Sequence, residues 1–243
     1  MVGQRKITDK LAMDEEIAVN QIESWKSLSK LWIRWTVVTT FAGALAYPAV
    51  VGAAVLGSGW SSGFWLGIPI GGAVAGFVAG FLQERVLRTH LLVTKQWIVM
   101  TVLGWAIGLS VVVGISNWFR LYAKEMDPWY ALTVYLIGAG IAGALSGVGQ
   151  WILLRKRIEK SVWWFMACAV GSLSAWLIVL AAWYLLGQGE DLPTTLADLP
   201  VMLVLGALAG WMVGMEQGVA LVGLIAQEDW EKRQGSRNSI GYF

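Results

Sequence analysis

The chain has 243 residues, of which 57% are hydrophobic and only 14% are charged, and its mean hydropathy is +0.61. Soluble domains carry about 25% charged residues, so this composition excludes an ordinary soluble protein and predicts an integral membrane protein. The formal net charge of +2 is distributed between apolar segments, which excludes the basic patch of a nucleic-acid-binding protein.

Residues 1–30 are the first predicted element, a cytoplasmic N-terminal segment of mixed charge. We expect no signal peptide there, because the segment has neither an apolar core nor a small-residue cleavage site. Ile17, Ile22, Trp25 and Leu28 recur at roughly helical spacing among charged residues. This pattern is typical of an amphipathic helix that lies on a membrane surface or docks a partner.

Six apolar runs follow, each long enough to form a helix across a hydrocarbon core of about 30 Å, which needs about 20 residues. Charged residues and turn formers such as Asp127-Pro128 separate the runs. They predict an all-α transmembrane domain over residues 31–226, followed by a cytoplasmic tail over residues 227–243. The predicted spans are 31–57, 63–84, 96–116, 130–154, 161–186 and 200–226.

The basic residues predict the orientation of these spans. With the N-terminus in the cytoplasm, 16 of the 18 Lys and Arg residues fall in cytoplasmic segments, and only Arg120 and Lys124 fall outside. Cytoplasmic loops of membrane proteins carry an excess of Lys and Arg. Both termini are therefore predicted to be cytoplasmic.

A repeat of 67 residues covers pairs of spans. Trp97 and Gly104 recur at this distance as Trp164 and Gly171, and the residues around Trp32 resemble those around Trp97 at a distance of 65. Repeated units that cross the membrane twice are related by an axis along the membrane normal, so we expect a triplicated two-helix unit with pseudo-threefold symmetry. In the second, fourth and sixth spans the recurring sets are Gly72, Gly76, Gly80, Gln83 and Leu87; Ala139, Gly143, Gly147, Gln150 and Leu154; and Gly206, Gly210, Gly214, Gln217 and Leu221.

The glycines of this repeat form a stripe, because residues four apart lie on one face of a helix. Small residues at this spacing allow two helix backbones to approach closely. A helix-packing seam, or glycine zipper, is therefore the favoured interpretation, and a ligand groove is the alternative. The glycines assigned to it are Gly76, Gly80, Gly143, Gly147, Gly210 and Gly214.

Three glutamines and one glutamate are the polar candidates within the spans. Gln83, Gln150 and Gln217 should share one depth and face the protein interior, because an amide in hydrocarbon is unsatisfied. They act either as interhelical hydrogen-bonding groups or as a ring around an axial cavity that holds an ion, a solute or a pigment. Glu216 breaks the symmetry. A carboxylate at this depth is either a functional group, or a protonated or snorkelling residue near the inner boundary, or one paired with an Arg from a neighbouring helix end.

Catalytic and metal-binding constellations are absent from the sequence pattern. Cys168 is the single cysteine and His90 the single histidine, so neither a Cys/His metal site nor a Ser-His-Asp arrangement is supported. We therefore predict a protein that is not an enzyme and has no cofactor.

The element Gly-x3-Gly-x2-Gln-Trp-x2-Leu-Arg is complete from Gly143 to Arg155 and is looser from Gly76 to Arg88, where Glu84 replaces Trp. At this element the chain resembles uncharacterised multipass bacterial membrane proteins of the cyanobacterial type. The resemblance implies no activity. It implies a bacterial plasma membrane or a thylakoid membrane as the location.

Short loops, packing glycines and the N-terminal segment favour a membrane subunit that scaffolds or assembles a larger complex. Its partners would be the lipid bilayer and either another membrane protein or a second copy of the chain. The alternative is a translocator that moves an ion or small solute along the pseudo-threefold axis, past Gln83, Gln150, Gln217 and Glu216. An axis filled by contacts between glycines would count against translocation.

Overall fold

The structure, a computed structural model, describes residues 2–58, 63–91, 95–122, 128–158, 160–185 and 198–240. Across these ranges the secondary structure is helical, without a strand, as the sequence predicts. The six helices are α1 (Val2–Ser58), α2 (Gly63–Leu87), α3 (Gln96–Tyr122), α4 (Pro128–Leu154), α5 (Val162–Leu185) and α6 (Leu199–Ile240).

Five of these helices are long and apolar enough to cross a membrane, which confirms a multipass membrane protein. The stretches that meet this condition are Trp25–Ala53, Gly67–Leu87, Leu136–Leu154, Val162–Ala181 and Leu199–Glu231. The described apolar part of α3, Gln96–Val111, is shorter. Helix α1 runs without a break from Val2, so the predicted N-terminal segment is the first part of the same helix that contains the first span.

The helices form a closed ring. Backbone contacts join each helix to the helices before and after it in sequence, and join α6 to α1; within the described residues no other pair of helices has Cα atoms within 8 Å of each other. Neighbours run antiparallel: Gly72 of α2 faces Trp105 of α3, whereas Gly80 of α2 faces Ile98. Helices α6 and α1 are also antiparallel, because Gly206 of α6 faces Gly43 of α1 whereas Gly214 faces Thr36. Helices α1, α3 and α5 therefore run in one direction, and α2, α4 and α6 in the other.

Apolar side chains cover the outer surface of the ring. Phe41 is 56% exposed, Ile70 58% and Val204 58%, which is the surface that a hydrocarbon environment requires. The buried hydrophobic cluster lies at one end of the ring, near the connections from α2 to α3 and from α4 to α5. We call this the triad end, after its three fully buried tryptophans, Trp35, Trp97 and Trp164. The other fully buried apolar side chains there include Leu31, Leu87 and Leu221.

The glycines predicted to form seams lie between neighbouring helices. A Cβ atom on Gly76 or Gly80 would meet α3, one on Gly143 or Gly147 would meet α5, and one on Gly210 or Gly214 would meet α1. For Gly76, the Thr101 carbonyl oxygen would lie 2.9 Å from such a Cβ. The seams thus join each even-numbered helix to an odd-numbered neighbour, and contacts between glycines do not fill the axis of the ring.

Candidate functional site

Three tryptophans meet on the ring axis at the triad end. Trp35 of α1, Trp97 of α3 and Trp164 of α5 are each 0% exposed. Their ring centroids are 5.5–6.3 Å apart and each pair is edge-to-face, the geometry that aromatic quadrupoles favour. This tryptophan triad closes the axis at that end.

Two of the three predicted glutamines accept a hydrogen bond from the triad. Trp97 Nε1 donates to Gln83 Oε1 at 3.4 Å, and Trp164 Nε1 donates to Gln150 Oε1 at 3.0 Å. Both bonds are buried and join residues 14 apart in sequence. They link α3 to α2 and α5 to α4.

The amide nitrogens of the glutamines bond to the helix on their other side. Gln150 Nε2 donates to Thr101 Oγ1 at 2.8 Å, and Gln217 Nε2 donates to Cys168 Sγ at 3.2 Å. Each pair is 49 residues apart. Gln150 therefore bridges α3, α4 and α5 through two hydrogen bonds.

An axial cavity of about 260 Å³ lies next to these amides on the side away from the triad. All six helices line it, and it extends to Val50 of α1 and Val179 of α5. Most of its surface is apolar. The polar residues that line it are Thr39, Gln83, Ser146, Gln150, Cys168, Ser172 and Gln217, together with Tyr47, Trp105 and Trp176. All three predicted glutamines thus line one cavity.

The cavity lining carries no charged residue in the described part of the chain. Glu216, the predicted symmetry-breaking carboxylate, does not line it. Glu216 lies between α5 and α6, where its Oε1 accepts a hydrogen bond of 2.7 Å from Ser174 Oγ. Its Oε2 is buried without a hydrogen-bond partner and lies close to Gly171. The structure therefore brings the glutamines together and leaves Glu216 apart from them.

The tryptophan of α1 in the triad is Trp35. The sequence comparison matched Trp32 to Trp97, but Trp32 instead donates from Nε1 to the Met215 carbonyl oxygen at 3.4 Å. A spacing signal for the correct residue exists in the sequence: Trp35 and Thr39 are four apart, as are Trp97 and Thr101, and Trp164 and Cys168.

Charged side chains gather beyond the triad end. Glu84 is buried and pairs with the exposed Arg88 one turn later, with 3.2 Å between Arg88 Nε and Glu84 Oε1. Lys160 pairs with Glu231 at 3.3 Å. Partial burial and the nearby positive charge of Arg34 both lower the pKa of His90, so His90 is neutral at pH 7 and adds no charge to this end.

Metal binding finds no support in the described ranges, which contain no group of three His, Cys, Asp or Glu residues able to hold an ion. The site consists instead of a triad, three amides and a largely apolar cavity. Comparison with protein families, with curated proteins and with solved structures gives no match.

Proposed function

We propose that this chain is a non-enzymatic integral membrane protein that holds one small, largely apolar molecule in its axial cavity. The observation that carries the proposal is the cavity of about 260 Å³, lined by all six helices and by the three glutamine amides. Ligand sites in proteins are concave and mostly apolar, with a few placed polar groups that orient the ligand. The cavity has this composition.

The tryptophan triad favours binding over translocation along the axis. A solute that crossed the triad end would have to displace three indoles that are 0% exposed and in mutual edge-to-face contact. Side chains packed in this way have few voids and do not move independently. A molecule in the cavity is therefore expected to enter and leave without passing the triad.

The repeat and the orientation belong to the same proposal: six spans, three copies of a two-helix unit, and both termini in the cytoplasm. The bonds from Trp97 to Gln83 and from Trp164 to Gln150 support the repeat, because they join equivalent residues. In sealed inverted vesicles, whose cytoplasmic face is outward, Thr89→Cys and Lys156→Cys should both react with an impermeant maleimide added to the outside. Reaction from opposite sides would contradict both the repeat and the orientation.

A second candidate function is a subunit or scaffold of a larger complex in a bacterial plasma or thylakoid membrane. The observation that favours it is the length of α1, which begins at Val2 although its apolar stretch begins at Trp25. A helix that continues past the membrane can dock a membrane-protein partner or a second copy of the chain. Native mass spectrometry of the tagged chain, extracted in mild detergent, should then show a stoichiometric complex; a bare monomer would contradict this role.

Photolabelling tests the cavity proposal directly. The probe is an eight-carbon aliphatic diazirine that ends in a primary hydroxyl, added to the chain in nanodiscs. We expect saturable labelling of residues that line the cavity, such as Leu109 and Trp176, because a molecule in the cavity makes dispersion contacts with side chains on every side of it. Mass spectrometry of the labelled peptides locates the adducts.

Two variants of α5 provide the control. Ala175 is buried and lines the cavity, whereas Val170 is 48% exposed on the outer surface. Ala175→Leu should lower labelling of the cavity about tenfold, because it fills the space that the probe needs, and Val170→Leu should leave it unchanged. Labelling that does not saturate, or that is equal in wild type and Ala175→Leu, would overturn the proposal.

A further inference from the structure

The hydrogen bonds around the cavity are incomplete at the contact between α6 and α1. Three buried atoms there have no hydrogen-bond partner within the described residues: Trp35 Nε1, Thr39 Oγ1 and Gln217 Oε1. The equivalent indole and glutamine atoms are bonded, since Trp97 and Trp164 donate to Gln83 and Gln150. The residues equivalent to Thr39 are bonded too, since Thr101 and Cys168 accept from Gln150 and Gln217. Thr39 and Gln217 both line the axial cavity and are only 4% and 8% exposed.

The sequence explains why this contact differs from the other two. Residue 218 is Gly, whereas the equivalent residues are Glu84 and Trp151. Trp32 occupies the freed space, with its Cδ1 atom 2.7 Å from where a Cβ of Gly218 would lie. On the same contact Gly43 packs directly on the backbones of Gly206 and Gly210. Trp32 thus fills the space beside Gly218, and the indole of Trp35 does not bond the Gln217 amide.

Unpartnered buried polar groups require a partner, because leaving one without a hydrogen bond is costly. Gln217 Oε1 can only accept a hydrogen bond, the Trp35 indole can only donate one, and the Thr39 hydroxyl can do both. Thr39 packs against Gly214, with 3.0 Å between its Cβ and the position of an added Cβ. Gly214 precedes Gln217 by one turn on α6, so the two cavity-lining groups lie close together.

We infer that the ligand of the axial cavity is a small amphiphile with an apolar body and one neutral hydroxyl head, which docks between Thr39 and Gln217. This inference rests on the proposed function and specifies its ligand class. The hydroxyl donates to Gln217 Oε1 and accepts from the Thr39 hydroxyl, which gives both buried groups a partner. The apolar body extends away from the triad toward Val50 and Val179.

Other head groups fit this position less well. A charged head would be buried without a counter-ion, because the described lining residues are uncharged and an unpaired buried charge is strongly disfavoured. An ether or ketone oxygen can accept from Thr39 but cannot donate to Gln217. A single water molecule could bridge the two groups, and in that case the head group of a bound amphiphile would not matter.

The test compares two probes on the wild-type chain in nanodiscs. The probes are the eight-carbon diazirine alcohol and its methyl ether, which has the same body but no donor. We expect the alcohol to half-saturate labelling of the cavity at about a fivefold lower concentration than the ether, the factor expected for one hydrogen bond. Each probe is first measured in protein-free nanodiscs, so that its concentration in the bilayer is known.

Variants then locate the head group. Gln217→Met should remove the difference between the two probes, because it deletes the oxygen to which only the alcohol donates. Thr39→Val should weaken labelling by both probes and preserve the difference between them, because the oxygen of either probe can accept from Thr39. Ser172→Ala, which changes another polar residue of the lining, should change neither the labelling nor the difference. If one variant fails to fold, the other variant and the wild-type comparison still decide the question.

The outcomes separate the two proposals. Saturable labelling of the cavity with equal half-saturation for both probes in wild type would overturn the hydroxyl head and indicate that only water bridges Thr39 and Gln217. The proposed function would then still hold. Absence of saturable labelling by either probe would overturn the proposed function, and the head-group inference with it.

Discussion

Replacing Gly210 by Ala is expected to lower the free energy of unfolding by about 3 kcal/mol, the upper part of the range for an overpacked contact. The new Cβ would lie 2.5 Å from the Thr39 carbonyl oxygen and 2.9 Å from Gly43 Cα. Both neighbours are backbone atoms, so no side chain can rotate to make room. Helix α6 would have to move away from α1, and the ring would open at this contact.

The matched control is Gly52→Ala in α1, because a Cβ on Gly52 has open space around it, with no atom within 4 Å. Ala is about 1 kcal/mol more favourable than Gly inside a helix, so this variant should be as stable as wild type or slightly more stable. Stability is measured by denaturant titration in detergent, followed by tryptophan fluorescence. Equal stability of Gly210→Ala and Gly52→Ala would contradict the close packing of α6 on α1.

Gln150→Leu is expected to lower the free energy of unfolding by about 2 kcal/mol. It removes a bond of 3.0 Å from Trp164 Nε1 and one of 2.8 Å to Thr101 Oγ1. The indole N–H is left buried without an acceptor, at a cost of about 1–3 kcal/mol. The Thr101 hydroxyl loses less, because it still donates to the Trp97 carbonyl oxygen at 2.8 Å. Bonds between helices within membranes average only about 0.6 kcal/mol, so the expected loss of stability stays below the upper end of that range.

Glu216→Gln is the comparison for Gln150→Leu, and it should change stability by less than about 1 kcal/mol. The substituted side chain keeps the carbonyl oxygen that accepts from Ser174 Oγ, and its amide has nearly the same size and shape as the carboxyl group. The two variants are measured in the same denaturant titration. A Gln150→Leu protein as stable as wild type would contradict a structural role for the glutamines.

Periodicity and a constant distance in the sequence predict one depth for Gln83, Gln150 and Gln217 without knowledge of the helix packing. All three line the same cavity. Glu216 does not line the cavity, although the translocation hypothesis places it on the axial path beside the glutamines. The reason is helix geometry: consecutive residues of an α-helix are about 100° apart around its axis. A side chain next to Gln217 therefore points toward a neighbouring helix when Gln217 faces the cavity.

The first span shows where sequence similarity misleads. The residues Trp32-Ile33 and Thr36-Val37 match those around Trp97, yet Trp35 occupies the triad. Burial decides this: Trp35 is 0% exposed, and Ile33 and Val37 are 53% and 59% exposed on the outer surface. In a helix that is apolar on every side, hydrophobicity does not distinguish the lipid face from the core, so local similarity can select the wrong register.

The sequence also does not predict which neighbouring helix each glycine stripe contacts. The spacing of Gly206, Gly210 and Gly214 predicts a close helix contact, but it does not identify the neighbour. The partner is α1, the element farthest from α6 along the chain. That pairing follows from closure of the ring and not from any local pattern.

Closure between the first and last helices has a consequence for biosynthesis. Helices enter the membrane in order as the chain is synthesised, so an intermediate with five helices has no partner for the α6-facing side of α1. Thr36, Thr39 and Gly43 would then meet lipid, although Thr39 and Thr36 are 4% and 8% exposed in the complete ring. A chain truncated before Leu199 should therefore be recognised by membrane proteases, whereas a chain that includes α6 becomes resistant once α6 has packed against α1.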